Sequence, residues 1–468
     1  MSLGAGFGQS GDWGGPRGDK GLSLPLLETV KLASADPDLR QRILFILGVF
    51  AVFALGVHVP VPIPGLSAEQ VFERLRGQAI FGMLDVFGGG ALRRISIFSL
   101  GLNPYITSSI ILQILTQANP VWKKEMQEGG EYARKQQNKR TRLLALALCF
   151  VQGFSLLAVM KGDPVIGALT IWYQLVVVLF WTAGAMFMLW LGEQISEKGI
   201  GNGLSLMIFA GIVMSLPGQV TQLSNGVTQG IVSIWQVLIL VAFFLGATWF
   251  IVYFTIAQRR IPIQHMRRNV GTKVVGGQTS YLPLPVAMAG VIPIIFAFAL
   301  IGIPSQVSLM FGGQNTPVGN FFHEVGLYMY PGERSLVWAN VPISKGFVGC
   351  LVFTAMIFFF TYFWTAIQFN VEDISNNLKR GGSFIPGIRP GKQTKDFLDG
   401  VISKVTIVGA GFISIVALSQ FIAPVIARIP PGQSITIIGG TSLLIMVSVA
   451  LETMRQIEAS ILMKQYGN

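Results

Sequence analysis

GIGNGLSLMIFAGIVMSLPGQVTQLSNGVTQGIVSIWQVLILVAFFLGATWFIVYFTIAQ, residues 199–258, contains no Asp, Glu, Lys or Arg. Roughly a quarter of the residues in a soluble domain are charged, so no water-exposed fold could present such a stretch. A helix crossing a hydrocarbon core needs about 20 mostly apolar residues, and this stretch is long enough for two. Its polar middle, PGQVTQLSNGVTQG at 217–230, reads as a loop between helices at Leu204–Leu216 and Ile231–Ala257.

The pattern extends outward in both directions. The chain is 51% hydrophobic and 12% charged over 468 residues. Further charge-poor segments lie at Ile43–Val59, Asn103–Gln117, Leu143–Met160 and Ile171–Gly192 before the opening stretch. After it come Val286–Ile303, Phe347–Phe369, Val405–Ile426 and Ser434–Leu451. The expectation is an all-α polytopic membrane protein of ten spans. Asn103–Gln117 and Leu204–Leu216 are short for a full crossing, which suits helices shielded from lipid near the centre.

Charge placement sets the topology. With ten spans, 26 of the 34 Lys and Arg fall on the side that holds both termini. The positive-inside rule makes that side cytoplasmic. One missed helix would scramble this asymmetry. Ten spans divide as five plus five, and an odd-numbered unit repeated must be inverted, with a site at the interface of the halves. The expected organisation is a leader at 1–39, disordered over 1–25, then halves at 40–217 and 218–454 and a cytoplasmic tail at 455–468. The leader lacks the apolar core of a cleavable signal peptide.

Several function classes lose their footing. The +12 net charge could suggest nucleic acid, but the basic residues sit in short loops between spans, where they set topology. Cys149 and Cys350 both lie in apolar runs and imply no disulfide framework. Catalysis and ion coupling inside a membrane need ionisable groups at depth. Glu193, Glu452 and His58 instead sit at span ends, and no metal-spaced set exists. An intramembrane enzyme is therefore disfavoured, and no cofactor is implied. A secondary transporter with inverted repeats is the alternative to a channel. The polar residues within spans, Asn103, Ser108, Gln113, Gln152 and Gln174, suit either interhelical hydrogen bonds or a polar seam that parts and re-forms.

Three places are locally unusual. FGGGALRRISIFSL at 87–100 puts three glycines before an amphipathic turn, and Pro104 then starts a helix. It reads as a half-helix, a break and a second half-helix, which at membrane depth belongs beside a cavity. The cytoplasmic loop 258–281 carries Arg259, Arg260, Arg267, Arg268 and Lys273. The loop 370–404 carries Arg389 between Pro386–Gly387 and Pro390–Gly391. Anionic lipid attracts basic loops at about 1 kcal/mol per residue, but it does not need a rigid turn that displays one arginine. Partner docking is the better reading.

Six blocks carry a family resemblance: FGGGALRRISIFSLGLNPYITSSIILQ, LGEQISEKGIGNGLSL, QRRIPIQ, LPLPVAMAGVIPIIFA, FNVEDISNNLKRGGSFIPGIRPGKQT and GGTSLLIMVSVALETMRQIE. Colinear from about residue 40 to the end, they resemble the SecY family of protein-conducting channel subunits. The resemblance implies two inverted halves around an hourglass pore, through which unfolded polypeptide crosses the bacterial inner membrane or leaves sideways into lipid. It implies an aliphatic pore ring at Leu102, Ile106, Ile208, Ile295 and Ile445, which would dewet a constriction without binding what passes. It implies a mobile plug over about 87–98, with Gly88, Gly89, Gly90, Arg93, Arg94, Ile95 and Phe98. Ser108 and Gln152 become lateral-gate contacts, where helices 2 and 3 face 7 and 8, although Ala287 replaces a polar residue frequent in helix 7. The basic loops become the dock for a ribosome or the SecA motor, led by Arg389, with Thr272 standing where a basic residue is common. Partners implied are SecE, SecG, SecA, the ribosome with no other nucleic acid, signal peptides, nascent chains and membrane lipids.

Overall fold

The computed structural model describes residues 35–63, 85–160, 164–167, 169–265, 268–270, 273–275, 279–311, 316–329, 331, 345–427 and 439–467. The leader before residue 35, Arg267 and Thr272 lie outside the described residues.

A helix occupies each of the ten expected segments. In the first half these are α1 (Pro37–Val57), α2 (Asn103–Ala118), α4 (Gly130–Met160), α6 (Ile171–Lys198) and α7 (Gly203–Thr228). Two short helices intervene, α3 (Pro120–Glu128) and α5 (Pro164–Gly167). In the second half the spans are α8 (Ile234–Ile256), α9 (Ile292–Met310), α11 (Lys345–Gln368), α13 (Lys392–Ile426) and α14 (Gly440–Gly467), with α10 (Pro317–Met329) and α12 (Val371–Arg380) between them. Seven of the ten are long and apolar enough to cross a membrane by length and composition alone. The other three are α2, of 16 residues, the short apolar helix α9, and α14, whose apolar run gives way to charge at Glu452.

The halves repeat one packing scheme. In the first, α2 packs on α4, α4 on α6, α6 on α7, and α1 on both α6 and α7. In the second, α9 packs on α11, α11 on α13, α13 on α14, and α8 on both α13 and α14. Taken in order, these are the same five pairings. Between the halves the principal contacts are α7 with α14 on one side, and α9 with α2 and α4 on the other. Lys464 on α14 reaches Asp36 at 2.9 Å and Asp38 at 3.3 Å, so the start of the first span and the end of the last lie on one side of the bundle.

One expectation needs correction, and the structure adds detail to two others. The segment 217–230 is not a loop, because α7 runs to Thr228 through Pro217. Proline removes one helical hydrogen bond, but hydroxyls on this face bond back to the helix, Thr221 to the Pro217 carbonyl and Ser224 to that of Thr221. The span is therefore not short, and the halves join through the brief turn at 229–233. The tail at 455–468 is likewise a straight continuation of α14 as far as Gly467. Finally, the cytoplasmic loops are not irregular. The all-α description holds for the membrane part, whereas the loops carry β1 (Gln258–His265), β2 (Arg268–Val270), β3 (Lys273–Val275), β4 (Thr279–Pro285) and β5 (Ser383–Phe384).

Candidate pore and cytoplasmic docking face

Leu102 caps the start of α2 and Ile106 sits in its first turn, while Ile208 lies on α7, Ile295 on α9 and Ile445 on α14. These five side chains from four helices meet in one hydrophobic cluster. Leu102, Ile208 and Ile445 are buried, and Ile106 and Ile295 pack against them half-buried. Fully burying such a side chain is worth about 1.5–3 kcal/mol, so the cluster helps hold the two halves together.

Val86, Ala91 and Phe98 belong to the same cluster, and Phe87 packs against it. The segment that supplies them is not the half-helix expected over 87–98. Helix ends at Phe87, and Gly88 to Leu102 is a series of turns. Gly89 and Gly90 adopt φ of 70° and 83°, in the left-handed region that opposes continued right-handed helix. Ile95 also sits at φ 47° while buried, a strained conformation for a β-branched residue. Two backbone bonds tie the segment to the chain after α1: the Ile97 amide donates to the Val59 carbonyl, and the Val61 amide to that of Ile95.

The segment has two apolar faces. Ala91 and Phe98 face the ring cluster, and the Phe98 ring stacks between Phe53 of α1 at 5.9 Å and Phe187 of α6 at 6.2 Å. Leu92, Ile95 and Leu100 enter a second cluster with Leu156 and Leu157 of α4 and Trp181 of α6. Three glycines form its seat. A Cβ on Gly184 of α6 would strike the Ile97 carbonyl, one on Gly211 of α7 the Phe87 carbonyl, and one on Gly56 of α1 the Phe98 ring. None of these three glycines stands out in sequence, because each matters only through a partner far away in the chain.

Asp85 is a second residue that sequence reasoning missed. It is 1% exposed, and its carboxylate accepts from Arg93 Nε at 2.6 Å and from the Arg93 amide at 3.0 Å. Arg94, its neighbour, is exposed. An acidic residue in an apolar stretch eight positions before an arginine was the available signal.

Ser108 and Gln152 are both buried, on α2 and α4 respectively. Ser108 donates to the Tyr105 carbonyl of its own helix, and no described hydrogen bond joins it to Gln152. The seam that α9 makes with α2 and α4 is greasy: Ile110 of α2 is buried in the cluster of second-half residues that holds Ile294, Phe296 and Ala297. The second-half partner at this seam is α9, with no principal contact from α11.

In the two basic loops, β1 pairs antiparallel with β4 from Gln258↔Pro285 to Gln264↔Thr279, and β5 adds to its other edge through Gln264↔Phe384 and His265↔Ser383. The order β4–β1–β5 fuses the two loops into one body. Ile261 and Ile263 alternate inward from β1, as strand geometry requires. They meet Leu284, Val371, Ile385, Leu398 and Ile402 in a small core. His265 bridges the sheet, with one ring nitrogen 3.0 Å from the Ser280 hydroxyl and the other 2.8 Å from that of Ser383.

That core supports an exposed turn bearing Arg389. Ile385 and Ile388 anchor one side of the turn. The Ser375 hydroxyl donates to the Gly391 carbonyl at 2.9 Å, and the Thr394 hydroxyl to that of Arg389 at 2.9 Å. Lys395 of α13 holds Glu372 of α12 at 2.8 Å. That bond pushes the Lys395 ammonium above its ordinary range and the Glu372 carboxyl below its own. Arg259 and Arg260 are exposed at the base of β1. Arg268 and Lys273 lie on the paired β2 and β3.

The model of the SecY family matches residues 96–454. The chain belongs to the SecY family. It is 38% identical to protein translocase subunit SecY of Aquifex aeolicus over 92% of this chain and 96% of that one. It is 36% identical to the Escherichia coli K12 subunit over 92% and 93%. Among solved structures, a protein-conducting channel aligns at TM-score 0.64 and 19% identity, covering 90% of this SecY-family chain and 93% of its own. A SecY structure in which the plug domain is described as stabilising the closed state aligns at 0.63 and 20% identity, covering 90% and 92%. Canine Sec61 in a ribosome–channel complex aligns at 0.59 and 18% identity, covering 90% and 93%.

Proposed function

We infer that this chain is the central subunit of a protein translocation channel, a gated conduit and not a catalyst. One observation carries the reading: five aliphatic side chains from four helices of both halves meet in one hydrophobic cluster, and Val86, Ala91 and Phe98 of the segment after α1 belong to it. Such a closure excludes ions by dewetting and can part around any passing side chain. The 85–102 segment acts as the plug. The apolar seam between α9 and the α2–α4 pair is the lateral gate, through which transmembrane segments reach lipid. Ser108 and Gln152 line that seam without forming its latch.

The cytoplasmic body is the docking face, where Arg389 makes the leading contact. Arg259, Arg260, Arg267, Arg268 and Lys273 supply the surrounding positive field. Its partners are a ribosome or the SecA motor, and SecE and SecG complete the channel in a bacterial inner membrane with both termini cytoplasmic. The Lys464–Asp36 contact supports placing the two ends on one side.

The test is conductance of the purified channel in planar bilayers. Replacing Ile208 and Ile295 together by glycine should raise resting ion conductance by about tenfold or more, because the constriction then holds water. An unchanged resting conductance would sink the hydrophobic gate.

A further inference from the structure

We propose that Asp85 is a positioning residue for the closed channel: with Arg93 it forms a clasp that holds the 85–102 segment in the one shape that fits its glycine seat. The inference rests on the channel reading above and adds a latch inside the plug itself.

The geometry is specific. Asp85 and Arg93 stand at the two ends of the turn that contains Gly88, Gly89 and Gly90. The carboxylate closes this turn twice, on the Arg93 side chain at 2.6 Å and on its amide at 3.0 Å. The Asp85 carbonyl also accepts from the Gly90 amide at 2.8 Å. Glycines leave the backbone free to adopt many other shapes, so a closed turn of this composition needs an external constraint. Asp85 side-chain exposure is 1% against 32% for Arg93. The acid therefore sits inside while the base reaches outward, close to Gly218 of α7.

The clasp also counters stored strain. Ile95, two residues beyond Arg93, is buried at φ 47°, and a β-branched residue would relax to negative φ if the turn opened. Two carbonyls of the segment, those of Phe87 and Ile97, rest against glycines of α7 and α6 with no room to shift. A turn that loosens by even part of an ångström loses that fit. Removing Arg93 leaves a buried carboxylate without its ion pair, and removing Asp85 takes away both bonds that close the turn.

Five variants in planar bilayers test the clasp, with detergent-solubilised protein checked for monodispersity. Asp85→Asn and Arg93→Gln should each raise resting conductance about tenfold. The double variant should leak no more than either single one. Lys135→Gln removes the same charge from an exposed position of α4 outside the segment and should stay as silent as the unmodified channel. Asp85→Glu, which keeps the charge on a longer stem, should recover part of the closure. A merely structural aspartate would lower thermal stability without this rescue and without non-additivity. If Asp85→Asn stays silent while the Ile208→Gly/Ile295→Gly channel conducts, the clasp is wrong and the channel reading stands. If neither conducts, both fall.

Discussion

The link between the first and second span of each half occupies the same place in the packing scheme, yet the two links have opposite fates. In the first half it coils through Gly88–Leu102, turns inward and buries Phe98, Leu92 and Ile95. In the second half it leaves the bundle as β1 and β4 and displays Arg259 and Arg260 to solvent. The inversion of the halves puts these links on opposite sides of the membrane. One packs inward because glycines on three helices accept its backbone and one ring. The other stands clear because a row of alternating isoleucines gives it a small core of its own. A repeated scaffold thus yields a buried link in one half and an exposed sheet in the other, with composition of the link deciding which.

The largest expected effect breaks the first member of that comparison. Gly184→Leu puts a side chain where the Ile97 carbonyl rests. Overpacking of this kind typically costs about 1–3 kcal/mol or more, here borne by the closed state alone. Resting ion conductance should rise by about tenfold or more, while binding of a cytoplasmic partner is unchanged. A silent Gly184→Leu channel would show that the seat is not what holds the plug.

The second prediction breaks the other member. Arg389→Glu reverses the charge on the anchored turn and should cut partner-driven translocation by about tenfold or more, with resting conductance unaltered. Full transport activity would remove Arg389 from the docking face. The two variants together are a double dissociation, since each should spoil one link's role and spare the other's.

His265→Ala should have a moderate effect. It strands the Ser280 and Ser383 hydroxyls, of which Ser383 is buried, at a cost of about 1–3 kcal/mol. The measurement is proteolysis of the 370–404 loop, which should quicken while the membrane part stays intact. Unchanged cleavage would mean that the sheet does not depend on this bridge.

The smallest effect concerns the ends of the chain. The bond from Lys464 holds the Asp36 carboxyl below its ordinary value of 3.8. A depressed carboxyl stabilises the fold above that value, and the contribution disappears as pH falls through the lower folded value. The same bond raises Lys464 above 10.5, so its share is present below that pH and is lost on going higher. Protease release of the α14 end should therefore be flat from about pH 5 to about pH 9, and Lys464→Ala should raise it only slightly. A marked change near neutral pH would point to a different tether.

What the sequence disclosed follows the reach of each interaction. The spans and the Arg389 turn are written in local composition, and both were legible. Pro217 misled because a proline amid polar residues resembles a loop, whereas α7 forgoes one backbone bond there and continues to Thr228. The strands at 258–285 did leave a local trace in the period of Ile261 and Ile263, but the segment was read only for its basic residues. Ring membership came from family resemblance, since nothing near Ile208 announces Ile445. The seat was invisible for a physical reason. Gly184 and Ile97 are neighbours only after folding, and a glycine in an apolar helix carries no sign of what will press against it.

The seam between α9 and the α2–α4 pair has one more consequence. A tube with a continuous covalent wall, like the eye of a needle, accepts a thread only by its end. This wall is closed along one edge by non-covalent packing, with Ile110 of one half set among residues of the other. With that seam as the lateral gate proposed above, a passenger would be laid in sideways as a bight, both of its ends still in the compartment where it was made. Neither its length nor a folded lump at either terminus need prevent entry.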